Sequence, residues 1–491
     1  MKRYMIFVAF MLLFSLDSWT QNTSILPVKG TWINLVYQDV RNKYTNPVHI
    51  DNTNPELWRQ KVKELSEMGI EYLVFMAVAN EGKAFYPSRL MPPAYNEENE
   101  SPVDAIMDEA ADLGMKVFLS TGWAKNQDDN LRDPAIKQRQ KDIMKELAAL
   151  YKDNAAFYGW YLPVEDCLCP ILSENAVTAV NDLSTCATSL VPGKKIMISP
   201  YGMVDSDFDN PAYARQLAKL KVDIIAYQDE VGCVREPFPL SRLRLNWKKL
   251  RAIHDRLDIA LWANCETFTW EEATNDRASA LIPAAYPRYL AQQVAASAAG
   301  VENIISFVVC GLIDKPASSY PLGQPIFSNK AYMDYMSWKK GDDYWNLLAL
   351  SFKGELHSNI KAQTDDLVLS KLMDEEQAEE NSQDPRWIQF EPGKHEIVFK
   401  LEDKTKIKYL MARFLNYASS NIKLPKRIVL SLSTDGVSYK QFSREEIVNY
   451  SNDKHDAWIE GILFEGIGRC RYVKLEFEAP WRVYMDEIFL N

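Results

Sequence analysis

Two glutamates in this chain of 491 residues stand at the ends of apolar runs. Glu165 closes "AFYGWYLPVE" (156–165), and Glu266 lies near the end of "ALWANCETF" (260–268). A run that begins like a buried β-strand and finishes in a carboxylate places an acid where core meets solvent. Two such groups facing each other suit cleavage of a glycosidic bond. One protonates the leaving oxygen, and the other attacks the sugar carbon or activates water. Asp166, next to Glu165, is read as a cap for the following turn. The stretch "YQDEVG" (227–232) offers competitors: Asp229 or Glu230 as the second carboxylate, with Tyr227, Gln228 and Asp229 as substrate contacts. Glu271 and Glu272 are read as surface residues.

The elements that would position these groups recur. Short apolar runs occupy 30–38, 71–79, 116–123, 156–165, 195–202, 223–232, 260–268 and 303–312. They are nearly continuously apolar, as parallel strands covered on both faces are. Amphipathic helices alternate with them. "NPELWRQKVKELSEMG" puts Leu57, Trp58, Val62, Leu65 and Met68 on one face, with Pro55 at its start and Gly69 just past its end. Residues 101–114, 134–152, 173–191, 210–220, 246–257 and 283–300 follow the same pattern. Eight βα units over residues 28–350 predict a (β/α)8 barrel, whose strand C-termini form the active-site rim. An open doubly wound sheet is the alternative, and it rarely uses eight such even units. In the barrel the fourth and seventh strands lie across the mouth from each other, each ending in glutamate. Trp32, Trp123, Tyr201 and Tyr227, in or at the ends of other strands, would supply flat faces for sugar rings, whereas Trp262 sits deeper and is read as packing.

After residue 355 the texture changes. The acidic stretch "DEEQAEENSQD" (374–384) reads as a solvated linker. Alternating strands follow, with a hairpin signal at Asp435-Gly436, so residues 355–491 are expected to form an all-β jelly-roll sandwich.

Acid/base glutamate after strand four and nucleophile glutamate after strand seven resembles the large clan of retaining (β/α)8 glycoside hydrolases. The barrel region also resembles a family of exported bacterial proteins described as glycoside-hydrolase-like barrels. The resemblance implies Glu165 as acid/base and Glu266 as nucleophile. That clan usually carries Asn immediately before the acid/base, where this chain has Val164. The departure leaves a second reading open: a glycan-binding barrel without catalysis. The segments 424–439, 471–477 and 486–490 resemble the discoidin-type, galactose-binding-like jelly roll.

The remaining features restrict the function. Lys2 and Arg3 precede an apolar run from Tyr4 to Leu16, too short to span a bilayer and laid out like a secretory signal over residues 1–20. An exported protein, periplasmic or extracellular, with no membrane span is expected. A formal net charge of −11 argues against nucleic acid as a partner, leaving a carbohydrate substrate. Five histidines, none in a barrel run, disfavour a metal centre, and no dinucleotide or nucleotide motif occurs, so no cofactor is expected. The seven cysteines form an odd, sparse set that suggests no disulfide framework. Cys233, Cys265 and Cys310 read as small buried side chains, and Cys167 and Cys169 lack the neighbours a metal would need.

Overall fold

The computed structural model describes residues 24–35, 53–122, 133–232, 240–270, 281–323, 325–353, 357–447 and 457–491. The signal-like segment, Trp123, Cys233, Glu271 and Glu272 lie outside the described residues.

All eight apolar runs are strands: β1 (Val28–Ile33), β2 (Tyr72–Phe75), β3 (Lys116–Ser120), β4 (Phe157–Tyr161), β5 (Lys195–Ile198), β6 (Ile224–Gln228), β7 (Ala260–Glu266) and β8 (Asn303–Phe307). They close into a parallel barrel in chain order, with β1 paired to both β2 and β8. Helices α1 (Pro55–Met68), α2 (Pro102–Asp112), α3 (Pro134–Tyr151), α4 (Glu174–Leu190), α5 (Pro211–Leu217), α6 (Leu240–His254) and α7 (Tyr286–Ala299) surround it. Their starts are set by side chains that accept the otherwise unpaired first-turn N–H groups: Asn54, Ser101, Asp133, Ser173 and Asn210 cap α1 to α5. Gly69 ends α1 in the left-handed region, at φ 90°, where a Cβ would be strained.

Strand side chains alternate between two apolar layers. Those pointing in, among them Trp32, Tyr72, Val74, Phe118, Tyr161, Met197, Ala226, Trp262 and Ile305, fill the barrel. Those pointing out pack under the helices. Trp262 lies 4.9 Å from the Tyr72 ring and 6.1 Å from Phe118, so it is packing, as its depth in the run suggests. At the opposite end from the strand C-termini, the Lys116 ammonium covers the Tyr72 and Tyr158 rings.

Helices α8 (Pro325–Lys339) and α9 (Asp343–Lys353) lead to the C-terminal β-sandwich. Its strands of three or more residues are β9 (Ile388–Phe390), β10 (Gly393–Asn416), β11 (Arg427–Ser433), β12 (Lys440–Glu446), β13 (Trp458–Ala479) and β14 (Val483–Leu490). The long β10 and β13 pair with each other throughout and shift register between Lys400 and Thr405. The second half of β13 pairs with β11, which pairs with β12, and the second half of β10 pairs with β14, which pairs with β9; two layers enclose a core that includes Phe399, Ile428, Leu475 and Ile488.

The acidic stretch 374–384 is not wholly solvated, contrary to the sequence reading. Ala378 and Glu380 are buried. The Glu380 carboxylate pairs with Arg244 of α6 at 2.9 Å, and Arg413 of β10 donates to the Ala378 carbonyl. A buried charge is retained where a partner compensates its desolvation, and the partners lie far away in sequence. Among the described residues, no helix is long and apolar enough to cross a membrane, and no cluster of three or more His, Cys, Asp or Glu is placed to hold a metal ion.

Candidate active site

Tyr161, the last residue of β4, points into the barrel, and Glu165 follows in the loop at that end of the strand. Val164 turns outward and is buried against the helix layer. Glu165 is exposed, and its Oε1 accepts a hydrogen bond from Gln228 Nε2 at 2.8 Å. The same Gln228 nitrogen donates to the Ser199 carbonyl at 3.2 Å, which ties the ends of β5 and β6 to the Glu165 loop. Asp166 accepts from the Ser173 N–H at 2.7 Å and so anchors the start of α4. Backbone bonds join this loop to the next one, Leu168 N–H to Tyr201 O and Tyr201 N–H to Asp166 O. Tyr201 is therefore brought beside the Glu165 loop, half-buried.

The seventh strand runs unbroken to Glu266, so strand alternation decides which of its side chains reach the mouth. Trp262, Asn264 and Glu266 share one side, while Leu261, Ala263 and Cys265 belong to the outer layer. Asn264 Oδ1 accepts from Trp32 Nε1 at 3.0 Å, and its Nδ2 lies 3.3 Å from Ser199 Oγ. Glu266 is 5 % exposed, against an exposed Glu165. Gly232 sits against it: a Cβ there would lie 3.1 Å from Glu266 Oε2 and 2.2 Å from the Phe268 carbonyl oxygen.

Trp32 links the two sides of the mouth, touching Asn264 of β7 and packing edge-on against Tyr161 of β4 with ring centroids 4.7 Å apart. Burial, and then the nearby Glu165 charge, push the Tyr161 hydroxyl well above its ordinary value. At 3 % exposure Trp32 forms a floor beneath the site and offers no open stacking face, which corrects the platform reading. Tyr227 is corrected more sharply. It points out of the barrel, fully buried, with its hydroxyl 2.7 Å from Tyr213 Oη and 3.0 Å from His254 Nε2.

Asp229 is also not a substrate contact. It is fully buried on the outward side of β6, and its Oδ1 accepts from the Glu266 N–H at 3.1 Å. Burial pushes its carboxyl upward, opposed by bonds from Gln292 and the Glu266 amide and by the nearby Arg288 charge. Glu230 spends Oε2 on the N–H groups of Gly202 and Met203, at 2.7 and 2.6 Å. Of the residues singled out in the sequence, Glu165, Gln228 and Tyr201 gather at one side of the mouth, Glu266 lies at the end of β7, and Trp32 lies below them. The sequence reading missed Asn264, Ser199 and Gln292, although Asn264 stands two residues before Glu266 and so shares its face. It also missed the disulfide between Cys167 and Cys169, just beyond Glu165.

The barrel fold agrees with a solved structure, the first of those described next. A Bacteroides thetaiotaomicron protein described as an alpha-L-fucosidase candidate matches with a TM-score of 0.51 at 16% identity, covering 64% of this chain and 94% of its own. GH5_18 from Streptomyces cattleya, in complex with Manb1-4GlcNAc, matches at 13% identity over 64% of this chain and 81% of its own, with a TM-score of 0.40. CBM32-1 from a family 31 glycoside hydrolase of Clostridium perfringens matches at 17% identity over 27% of this chain and 93% of its own, with a TM-score of 0.20. No curated protein matches the sequence. The family match covers residues 28–320, which hold every strand of the barrel and more than half of the chain, and the chain therefore belongs to the family described as a domain of unknown function, DUF4434.

Proposed function

We propose that this protein is a glycoside hydrolase acting on a poly- or oligosaccharide, with Glu165 as acid/base and Glu266 as nucleophile in a retaining mechanism. The observation that carries the reading is the arrival of two glutamates, from β4 and β7, at the mouth of one barrel above a shared Trp32 floor. Glu165, exposed to an incoming sugar, protonates the leaving oxygen. Glu266 attacks the anomeric carbon, and Glu165 then takes a proton from the water that releases the sugar. Gln228 holds the Glu165 carboxylate in place. The secretory-type N-terminus supports an exported enzyme that meets its glycan in the periplasm or outside the cell.

The test is turnover of a glycan panel by the wild type, Glu165→Gln and Glu266→Gln, with the anomeric configuration of the first product read by proton NMR. Each substitution should lower kcat by about 10²–10⁴-fold with melting temperature unchanged, and the first product should keep the substrate's configuration. Full activity in either variant would remove that residue from the mechanism.

One observation favours a second reading, a glycan-binding barrel without catalysis. Val164, where the resembling clan has Asn, faces the helix layer and brings no amide into the site. Calorimetric binding of a glycan that stays uncleaved on long incubation would support it.

A further inference from the structure

We infer that Asp229 is a positioning residue, whose buried carboxylate, with Gln292, fixes the backbone that carries Glu266. The role of Glu266 as nucleophile rests on the function proposed above, but the hold on its backbone is a matter of geometry alone. Gln228, the last residue of β6, and Asp229, just beyond it, divide their work by side. Gln228 points in and bonds Glu165, and Asp229 points out, beneath the end of β7.

Four backbone groups around Glu266 are held from this side. The Asp229 N–H donates to the Asn264 carbonyl at 3.0 Å, and Asp229 Oδ1 accepts the Glu266 N–H at 3.1 Å. Gln292 Nε2 donates to Asp229 Oδ2 at 2.6 Å and to the Glu266 carbonyl at 3.1 Å. Arg288, one helical turn before Gln292 on α7, donates to the Phe268 carbonyl at 2.6 Å. Asp229, Arg288 and Gln292 are all fully buried. Seating α7 on the barrel would need only apolar side chains, which avoid the desolvation cost of buried charge. What the polar set adds is direction: both ends of the Glu266 residue are tied to one carboxylate and one amide. A misplacement of about 1 Å can cost roughly 100-fold in rate, so a nucleophile at a strand end gains from such a tether.

The experiment compares hydrogen–deuterium exchange, by mass spectrometry on the full chain, in the wild type, Asp229→Ala, Asp229→Asn and Gln292→Met. Peptides covering 260–268 should exchange about tenfold faster in Asp229→Ala, from loss of a bond to a charged acceptor, while those of β3 and β4 stay as in the wild type. Asp229→Asn keeps an acceptor for the Glu266 N–H and should fall between, and Gln292→Met should loosen the same peptides. On any glycan the wild type cleaves, kcat should fall with KM little changed. Unchanged exchange at 260–268 in Asp229→Ala and Gln292→Met, or equal acceleration in every barrel strand, would overturn the inference. If the wild type cleaves no glycan, the exchange result still decides the tether, and only the hydrolase reading fails.

Discussion

Arg413 should be the most sensitive charge in the joint between barrel and sandwich. Its side chain is 1 % exposed and stands 3.1 Å from Asp486, which is itself fully buried. It also donates to the Ser351 and Ala378 carbonyls, both at 3.1 Å, and to Gln377 Oε1 at 2.5 Å. Arg413→Met keeps much of the volume and removes every donor. Asp486 then stays buried with the Ala378 N–H at 2.8 Å and no adjoining guanidinium. Removing one partner of a buried ion pair costs about 3–5 kcal/mol, and the three oxygens that lose a donor place the cost in the upper half of that range. At about 2.1 cal/mol/K per residue, a chain of 491 residues unfolds with an entropy near 1 kcal/mol/K. The melting temperature should therefore drop by roughly 4–5 °C if barrel and sandwich melt together. Differential scanning calorimetry reads both the shift and the number of transitions. Adding Asp486→Asn removes the stranded charge and keeps an acceptor for Ala378, so the double variant should recover most of the loss. A shift below about 1 °C, or a double variant no more stable than Arg413→Met, would refute the reasoning.

Gly232→Ala should cost about 1–3 kcal/mol by overpacking, because the new Cβ meets the Phe268 carbonyl oxygen 2.2 Å away; thermal melting checks it. Burial, aided by the Asp486 and Asp374 charges, moves the Glu487 carboxyl from an ordinary 4.5 to about 9. Between those values the folded state holds a proton that the unfolded state lacks, so this group makes stability fall as pH rises through the window. Glu487→Gln should flatten that fall in melting temperatures taken across the window. Tyr227→Phe should cost about 0.5–1.5 kcal/mol through its lost bonds and leave glycan affinity, measured by calorimetry, as in the wild type; a loss of affinity would return Tyr227 to the cleft.

The barrel was legible because a strand covered on both faces shows as an unbroken apolar run, and eight such runs alternate with capped helices. That same continuity hid which residues face in. The 223–232 run reads the same from either side, so Tyr227 and Asp229 passed for rim residues when only Gln228 between them reaches the mouth. The acidic stretch 374–384 looked solvated because its compensating cations, Arg244 and Arg413, come from distant elements. Helix α6 begins at Leu240, earlier than the apolar spacing suggested. In the sandwich, the hairpin signal at Asp435-Gly436 marks the turn into β12, but the strand itself leaves little apolar pattern because its side chains are mostly exposed.

The segment shared with the family ends at residue 320, but the packing does not end there. The Val28 N–H, at the first residue of β1, donates to Tyr335 of α8 at 3.1 Å. The Tyr286 ring of α7 lies 4.9 Å from Trp345 of α9. Trp387, Ile459 and Tyr484 from the C-terminal region belong to the same apolar cluster as the outer layer of the barrel. The stretch that the family match covers is thus shorter than the packed unit. A polypeptide cut to the family segment alone would leave the Val28 N–H without its Tyr335 acceptor and the Tyr286 ring without Trp345 against it.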